Sequence, residues 1–280
     1  MSPGFGDLLA AAIGQHGPLC LGMDPHPYLL EAWELPDTAQ GLERMGERVL
    51  EAATGRVAAI KPQIALYERH GAAGFRVLET FLAEGRKRNI LMIADAKRGD
   101  IGSTMAAYAA AWLSPDSPLA SDALTVSPYL GFESLRPALE VCQRQQRGLF
   151  VLGLTSNPEG ASLQHLGAPQ SVAGSIIDAA EAENKKQNFD LMGSCGLVIG
   201  ATVASALNTL NIDISRFNGP LLVPGYGQQG GKAADLFELF TQCPGQVLVN
   251  SGRAILEQGP QALNLADEID RVIKDLSKGL

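Results

Sequence analysis

NILMIADAKRGDIGST, residues 89–104, starts as an apolar run and ends in charge. Its first half is almost continuously apolar rather than alternating. That is the pattern of a parallel strand covered on both faces, not of a half-solvated antiparallel one. Asp95, Lys97 and Asp100 then follow within six residues, and IGSTMAAYAAAW beyond them has the spacing of a helix. The stretch therefore predicts one βα unit that carries its charges at the C-terminal end of the strand.

Seven more runs of the same kind flank it: PLCLGMDP (18–25), RVAAIKPQ (56–63), ALTVSPYL (123–130), GLFVLGLT (148–155), CGLVIGAT (195–202), PLLVPGYG (220–227) and QVLVNSGR (246–253). Between them lie amphipathic stretches such as TAQGLERMGERVLEAAT, AAGFRVLETFLAEGRKR and PQALNLADEIDRVIKDLSK, with apolar residues at helical intervals. Eight βα units fit a closed barrel or an open doubly wound sheet. The count favours an α/β fold of the (β/α)8 TIM barrel type, and 280 residues is close to the ~250 of one such barrel. No GxGxxG fingerprint follows the first strand, which weakens the open dinucleotide-binding form. Residues 1–280 are expected to form a single barrel domain; the segment from Asn157 to about Asn188 is the longest connection, but it is not low-complexity.

A net charge of −8 offers no general attraction for nucleic acid or an anionic membrane, so an anionic ligand needs a local cluster of Lys and Arg. The four cysteines, Cys20, Cys142, Cys195 and Cys243, lie far apart with no CxxC, which suits free thiols in a reducing compartment rather than zinc or disulfides. The N-terminal stretch lacks a basic leader and carries Asp7 inside its apolar run, and no window reaches the ~18 apolar residues of a membrane span. A cytoplasmic protein is expected.

Polar and charged residues gather at the C-terminal ends of the predicted strands: Asp24, Lys61, Asp95 with Lys97, Ser127, Thr155 with Ser156, Thr202, Gln229 and Arg253. In a barrel these ends share one mouth, where such folds build their sites. A single Ser or Thr there can be an ordinary strand end, but Lys, Arg and Asp are rarely placed so deep unless paired. Asp95 and Lys97, two residues apart, should point the same way, and Lys61 on the neighbouring strand is within reach. Asp100 also suits a helix N-cap. A lysine between carboxylates holds its proton firmly, so Lys97 is expected to act as an acid rather than as a Schiff-base amine.

DAKRGDI with Thr104 resembles the D-x-K-x-x-D-I-x-x-T signature of the orotidine 5'-phosphate decarboxylase family. LGMDPHP, AAIKPQIALYERHG, VSPYLGFESLRP, LGLTSNPEG, VIGATV, VPGYGQQGG and NSGRAIL resemble further family segments in order, in the manner of its longer prokaryotic branch. The resemblance implies decarboxylation of orotidine 5'-phosphate to UMP, the last step of de novo pyrimidine synthesis, without metal or organic cofactor. It implies a catalytic network of Lys61, Asp95, Lys97 and Asp100, with Lys97 protonating C6 of the pyrimidine. Substrate-binding residues would be Asp24 at the ribose, Ser156 at the pyrimidine's amide edge, and Gln229, Gly252 and Arg253 at the phosphate, together with Ile101 and Thr104. The glycines Gly225, Gly227, Gly230 and Gly231 would let backbone N–H groups approach the phosphate. Barrels often hold phosphate between the loops after strands seven and eight, which places Arg253 there independently. The resemblance further implies a homodimer in which Asp100 and Thr104 reach the neighbouring subunit's site. Two other readings keep the barrel: a metal-dependent sugar-phosphate decarboxylase or synthase, and a non-catalytic nucleotide-binding protein.

Overall fold

A computed structural model describes residues 3–167, 170–226, 236 and 241–279. The eight strands run β1 Leu19–Met23, β2 Ala59–Pro62, β3 Leu91–Arg98, β4 Ala123–Val126, β5 Gly148–Leu154, β6 Cys195–Ile199, β7 Leu221–Pro224 and β8 Val247–Ser251. Each pairs in parallel with the next, and β8 pairs with β1, so the sheet closes on itself. All eight predicted runs contain a strand, and several strands are shorter than predicted at the mouth end. The reason is local. β2 ends at Pro62 and β7 at Pro224, while Pro128 follows β4 by two residues; proline has no N–H to extend a ladder.

The predicted helices stand outside the ring, among them Ala39–Ala53, Gly71–Lys87, Gly102–Leu113 and Ala262–Leu276. Their apolar faces meet the outward residues of the strands in one large core that includes Leu21, Met45, Leu82, Leu124, Val151 and Ile269. The long connection after β5 holds a 3-10 turn at Pro158–Gly160 and short helix Ala161–Gln164, then helix Val172–Asn184.

Inside the ring is a second core. Cys20, Ala59, Ile93, Ala123, Phe150, Val198, Leu222 and Leu248, one from each strand, form its layer. Helix Phe5–His16 seals the floor: Phe5 meets Phe150 edge-on at 5.9 Å between ring centroids, and Leu9 and Ile13 join the same cluster. Gly148 makes the space for this, since a Cβ there would lie 2.2 Å from Cδ1 of Phe5. The Asp7 carboxylate fastens the helix by accepting backbone N–H bonds from Leu191 at 2.8 Å and Asp190 at 3.2 Å. Two residues beyond the apolar layer, the same inward parity brings Lys61, Asp95, Thr125, Leu152 and Asn250 to the mouth. A sealed apolar floor below and charge above make the ring open at one end only.

Candidate active site

The mouth opens into a cavity of 840 Å³ whose walls include Asp24, Lys61, Asp95, Lys97, Gly252 and Arg253. Asp95 is its centre. One carboxylate oxygen, Oδ2, accepts from Lys61 Nζ at 2.7 Å and Gln63 Nε2 at 3.2 Å. The other, Oδ1, accepts from Lys97 Nζ at 2.6 Å and Thr125 Oγ1 at 3.0 Å. Lys61 also stands 3.9 Å from Asp24 Oδ1, so its ammonium lies between two carboxylates.

The electrostatics follow from burial and charge. Burial works against the charge on Asp95, but Lys61 and Lys97 outweigh it and hold the carboxyl well below the usual range. Burial likewise works against the Lys61 ammonium, and Asp95 and Asp24 outweigh it, so its proton is held more firmly than in free lysine. Cys20, fully buried in the layer beneath, is pushed up to about 12 by desolvation and stays a thiol. The side chains of Lys61 and Asp95 are 5% and 8% exposed, whereas that of Lys97 is 46% exposed toward the cavity mouth.

Asp95 and Lys97 do share a side, but not through plain strand alternation. β3 and β4 lose register between Ala94 and Arg98, and Lys97 has a left-handed backbone, φ +48°. A non-glycine residue in that region costs on the order of 1–2 kcal/mol, and such conformations concentrate at functional sites. The bulge sends Arg98 to the outer face, where it pairs with Glu68 and lies over the rings of Tyr108 and Trp112.

The other expected residues divide. Asp24 and Arg253 line the cavity, and among the described residues Asp24 Oδ1 is a buried acceptor with no hydrogen-bond donor. Gly252 lies where a Cβ would come within 2.8 Å of Asp24 Oδ2 and 2.9 Å of the Gly22 carbonyl. Gly225 is in the cavity wall. Ser156 is exposed and lines a shallower depression beside the main cavity, together with Thr155, Asn157 and Thr202. Asp100, Ile101 and Thr104 are not in the cavity wall; they sit at the start of helix Gly102–Leu113, with Ile101 62% exposed. Asp100 is not the helix N-cap. That position is Ile101, and the Asp100 carboxylate accepts from the Ile101 N–H at 2.8 Å, one residue too early to reach the N–H groups of the first turn. Gln229, Gly227, Gly230 and Gly231 fall outside the described residues.

Sequence reasoning missed several cavity residues. Thr125 and Asn250 follow Ala123 and Leu248 by two, so inward parity could have flagged both, and Gln63 stands in the same relation to Lys61. His26 and Gln164 also line the cavity; Gln164 arrives from the long connection and grips Thr155, accepting from its N–H at 2.9 Å and donating to its hydroxyl at 2.8 Å. Nothing in the spacing of that segment signals it.

Known proteins resemble the chain throughout its length. The profile of the orotidine 5'-phosphate decarboxylase / HUMPS family matches residues 17–267. An orotidine 5'-phosphate decarboxylase of Streptomyces coelicolor is 48% identical over 269 residues, covering 95% of each chain. One from Salinispora tropica is 46% identical over 278 residues, covering 99% of this chain and 98% of its own. Among solved structures, one assigned as an orotidine 5'-phosphate decarboxylase from Streptomyces avermitilis superposes with a TM-score of 0.92 at 47% identity, covering 99% of this chain and 96% of that one. The closed barrel and these relatives together define a (β/α)8 carboxy-lyase. The chain belongs to the orotidine 5'-phosphate decarboxylase / HUMPS family.

Proposed function

We propose that this chain, acting as a single barrel domain over residues 1–280, decarboxylates orotidine 5'-phosphate to UMP through its own Lys/Asp network. The observation that carries the reading is the Asp95 carboxylate gripped on both oxygens by ammonium groups, at 2.7 Å by Lys61 and 2.6 Å by Lys97, at the bottom of an open mouth.

The chemistry follows from where charge develops. When the bond from C6 to the carboxylate breaks, CO₂ leaves and the electron pair stays on C6 in the ring plane, where delocalisation is poor. The Lys97 ammonium faces that pair, stabilises it and delivers its proton to C6. Lys97 is then an amine, and its half-exposed side chain regains a proton from solvent as product leaves. The substrate carboxylate lies against Asp95, a repulsion that ends when CO₂ departs. Lys61, held between Asp24 and Asp95, keeps Asp95 ionised and oriented. Arg253 takes the 5'-phosphate, with Gly252 bare beside it and Gln229 assisting, and that remote grip supports the chemical step. Asp24 takes a ribose hydroxyl on Oδ1, which lies 3.9 Å from the Lys61 ammonium and accepts no hydrogen bond among the described residues, and Ser156 reads the pyrimidine amide edge.

Asp100 and Thr104 serve the site of a second copy in a homodimer, and Ile101 between them contacts substrate. Support comes from the apolar surface around them: Ile101, Tyr129 and Leu130 are 62%, 76% and 53% exposed, and Ala106, Ala107 and Ala110 on the adjoining helix are exposed as well. The protein is proposed to be cytoplasmic; no helix among the described residues is long and apolar enough to cross a membrane. Reaction without a metal is supported by the Lys61 ammonium, which stands between the two carboxylates a divalent cation would need.

The test is loss of orotidine 5'-phosphate absorbance with release of CO₂ on adding purified protein in EDTA. Activity that EDTA abolishes would turn the assignment toward the metal-dependent reading, and UMP binding without CO₂ release toward the non-catalytic one.

A further inference from the structure

The Thr125 hydroxyl stands where two charged side chains of β3, Asp95 and Lys97, meet. It is 1% exposed, lines the cavity and makes two hydrogen bonds. It accepts from the backbone N–H of Lys97 at 2.9 Å and donates to Asp95 Oδ1 at 3.0 Å, the oxygen that Lys97 Nζ also contacts at 2.6 Å. Asp95 Oδ1, the Lys97 backbone and the Lys97 ammonium are therefore linked through one side chain of the next strand.

That link meets a local need. Where β3 loses register with β4, the Lys97 N–H has no partner in the ladder, and Lys97 sits in the left-handed region, φ +48°. A backbone in so sparsely populated a region persists only where its surroundings over-determine it. Thr125 supplies the acceptor that a regular ladder would have supplied. A threonine on an ordinary strand has no reason to spend both of its bonds on two residues of its neighbour. Here each of those residues carries charge at the mouth.

We infer that Thr125 is a positioning residue for the decarboxylation: its hydroxyl fixes the left-handed backbone of Lys97 and one oxygen of Asp95 in a single arrangement, and so aims the ammonium at the reacting carbon. The inference rests on the reading of Lys97 as proton donor. Thr125 does not itself contact the reacting atoms; it acts through the lysine it holds. Binding of the phosphate and the ribose relies on other strands, so loss of the hydroxyl should act on turnover and leave affinity alone.

Thr125→Val keeps the shape of the side chain and removes only the hydroxyl. The expected result is a folded enzyme whose kcat falls by about 100-fold, the usual consequence of a catalytic group displaced by ~1 Å, with KM and the Kd for UMP within about threefold of wild type. Thr125→Ser, which restores the hydroxyl, should recover kcat to within about tenfold of wild type. A Val variant with kcat within threefold of wild type overturns the inference, as does a Ser variant no better than Val. If Val does not fold, Thr125→Ala and Thr125→Ser are compared in the same way, and equal kcat for the two overturns it. Lys97→Ala measured in parallel separates the two levels: an inactive Lys97→Ala beside a fully active Thr125→Val removes the role of Thr125 alone, whereas an active Lys97→Ala removes the proton-donor reading and this inference with it.

Discussion

Lys61 Nζ lies 2.7 Å from Oδ2 of Asp95, with both side chains more than nine-tenths buried. The two members shift in opposite directions, so the pair has a definite pH signature. Asp95 is held below the usual carboxyl range; its contribution to stability is complete above about pH 4 and is lost as pH falls from there toward its folded value. Lys61 is held above the usual lysine range; its contribution is complete below about pH 10 and is lost as pH rises beyond that. Between those limits the pair should be indifferent to pH. Urea unfolding of wild type and Asp95→Asn from pH 5 to pH 2.5 should show a shallower acid loss in the variant, and equal slopes would remove Asp95 as a source of acid sensitivity.

Lys97→Ala should lower kcat by at least about 10³-fold, within the usual range for a general acid, while the folded protein still binds UMP. The lesion removes the proton donor and leaves Arg253 and Asp24 in the cavity wall. Calorimetric titration with UMP beside the CO₂ assay checks both halves. Loss of the fold would make Lys97 structural instead.

Arg253→Ala should weaken UMP binding by ~1.5 to 3 kcal/mol, the cost of a charged hydrogen bond left unmade. A nucleoside without its phosphate should lose turnover as well as affinity, because remote binding energy supports the chemical step. Equal turnover of the phosphorylated and unphosphorylated substrates at saturation would contradict that coupling.

The position of Asp100, outside the cavity wall and beside exposed Ile101, calls for a test between subunits. If Lys97 comes from one chain and Asp100 from its partner, Lys97→Ala and Asp100→Ala subunits that exchange at random should regain roughly a quarter of wild-type activity. Half the dimers are then mixed, and isologous symmetry puts both lesions in one site and leaves the other intact. If Asp100 serves its own chain, no activity returns. Among the described residues its carboxylate bonds only the adjacent Ile101 N–H, which an Asn side-chain oxygen could also accept, so an active Asp100→Asn would reduce Asp100 to that local bond.

Gly148→Ala should destabilise the barrel by about 1–3 kcal/mol, since the added methyl meets the Phe5 ring at 2.2 Å and the floor is tightly packed. Phe5→Ala alone should cost about 3–5 kcal/mol. The double variant should be more stable than the sum of the two predicts, because the smaller residue leaves room for the methyl. Additive losses in urea would show that the two residues do not share the space.

The barrel was legible in the chain because parallel strands buried on both faces leave near-continuous apolar runs, and each of the eight was visible. The charged cluster was legible because Lys and Asp at strand ends are costly without partners. The hydroxyl of Thr125 was not, since its importance depends on the strand beside it and on a lapse of register that spacing does not reveal. Gln63 was within reach of inward parity, two residues after Lys61, but Gln164 escaped for a related reason: uncharged amides are common in loops, and only the folded connection brings it to the cavity. Asp7 read as a charge interrupting an apolar stretch; in the fold it clasps the backbone at residues 190–192, a partnership across most of the chain.

The seam between β1 and β8 joins Leu19 to Val249 and Leu21 to Ser251, partners drawn from opposite ends of the sequence. The floor has the same character, since Phe5 seats on Phe150 and beside Met192. On a ribosome, β1 waits with an open edge until the last strand has emerged, and helix Phe5–His16 waits for its seat. Contacts of such long sequence separation slow folding, and the unpaired edge is a route to aggregation until the ring shuts. Closure of the ring is thus a late event: Lys61, Asp95 and Lys97 are made early, on the neighbouring strands β2 and β3, but Arg253 joins them at the mouth only after β8 has emerged.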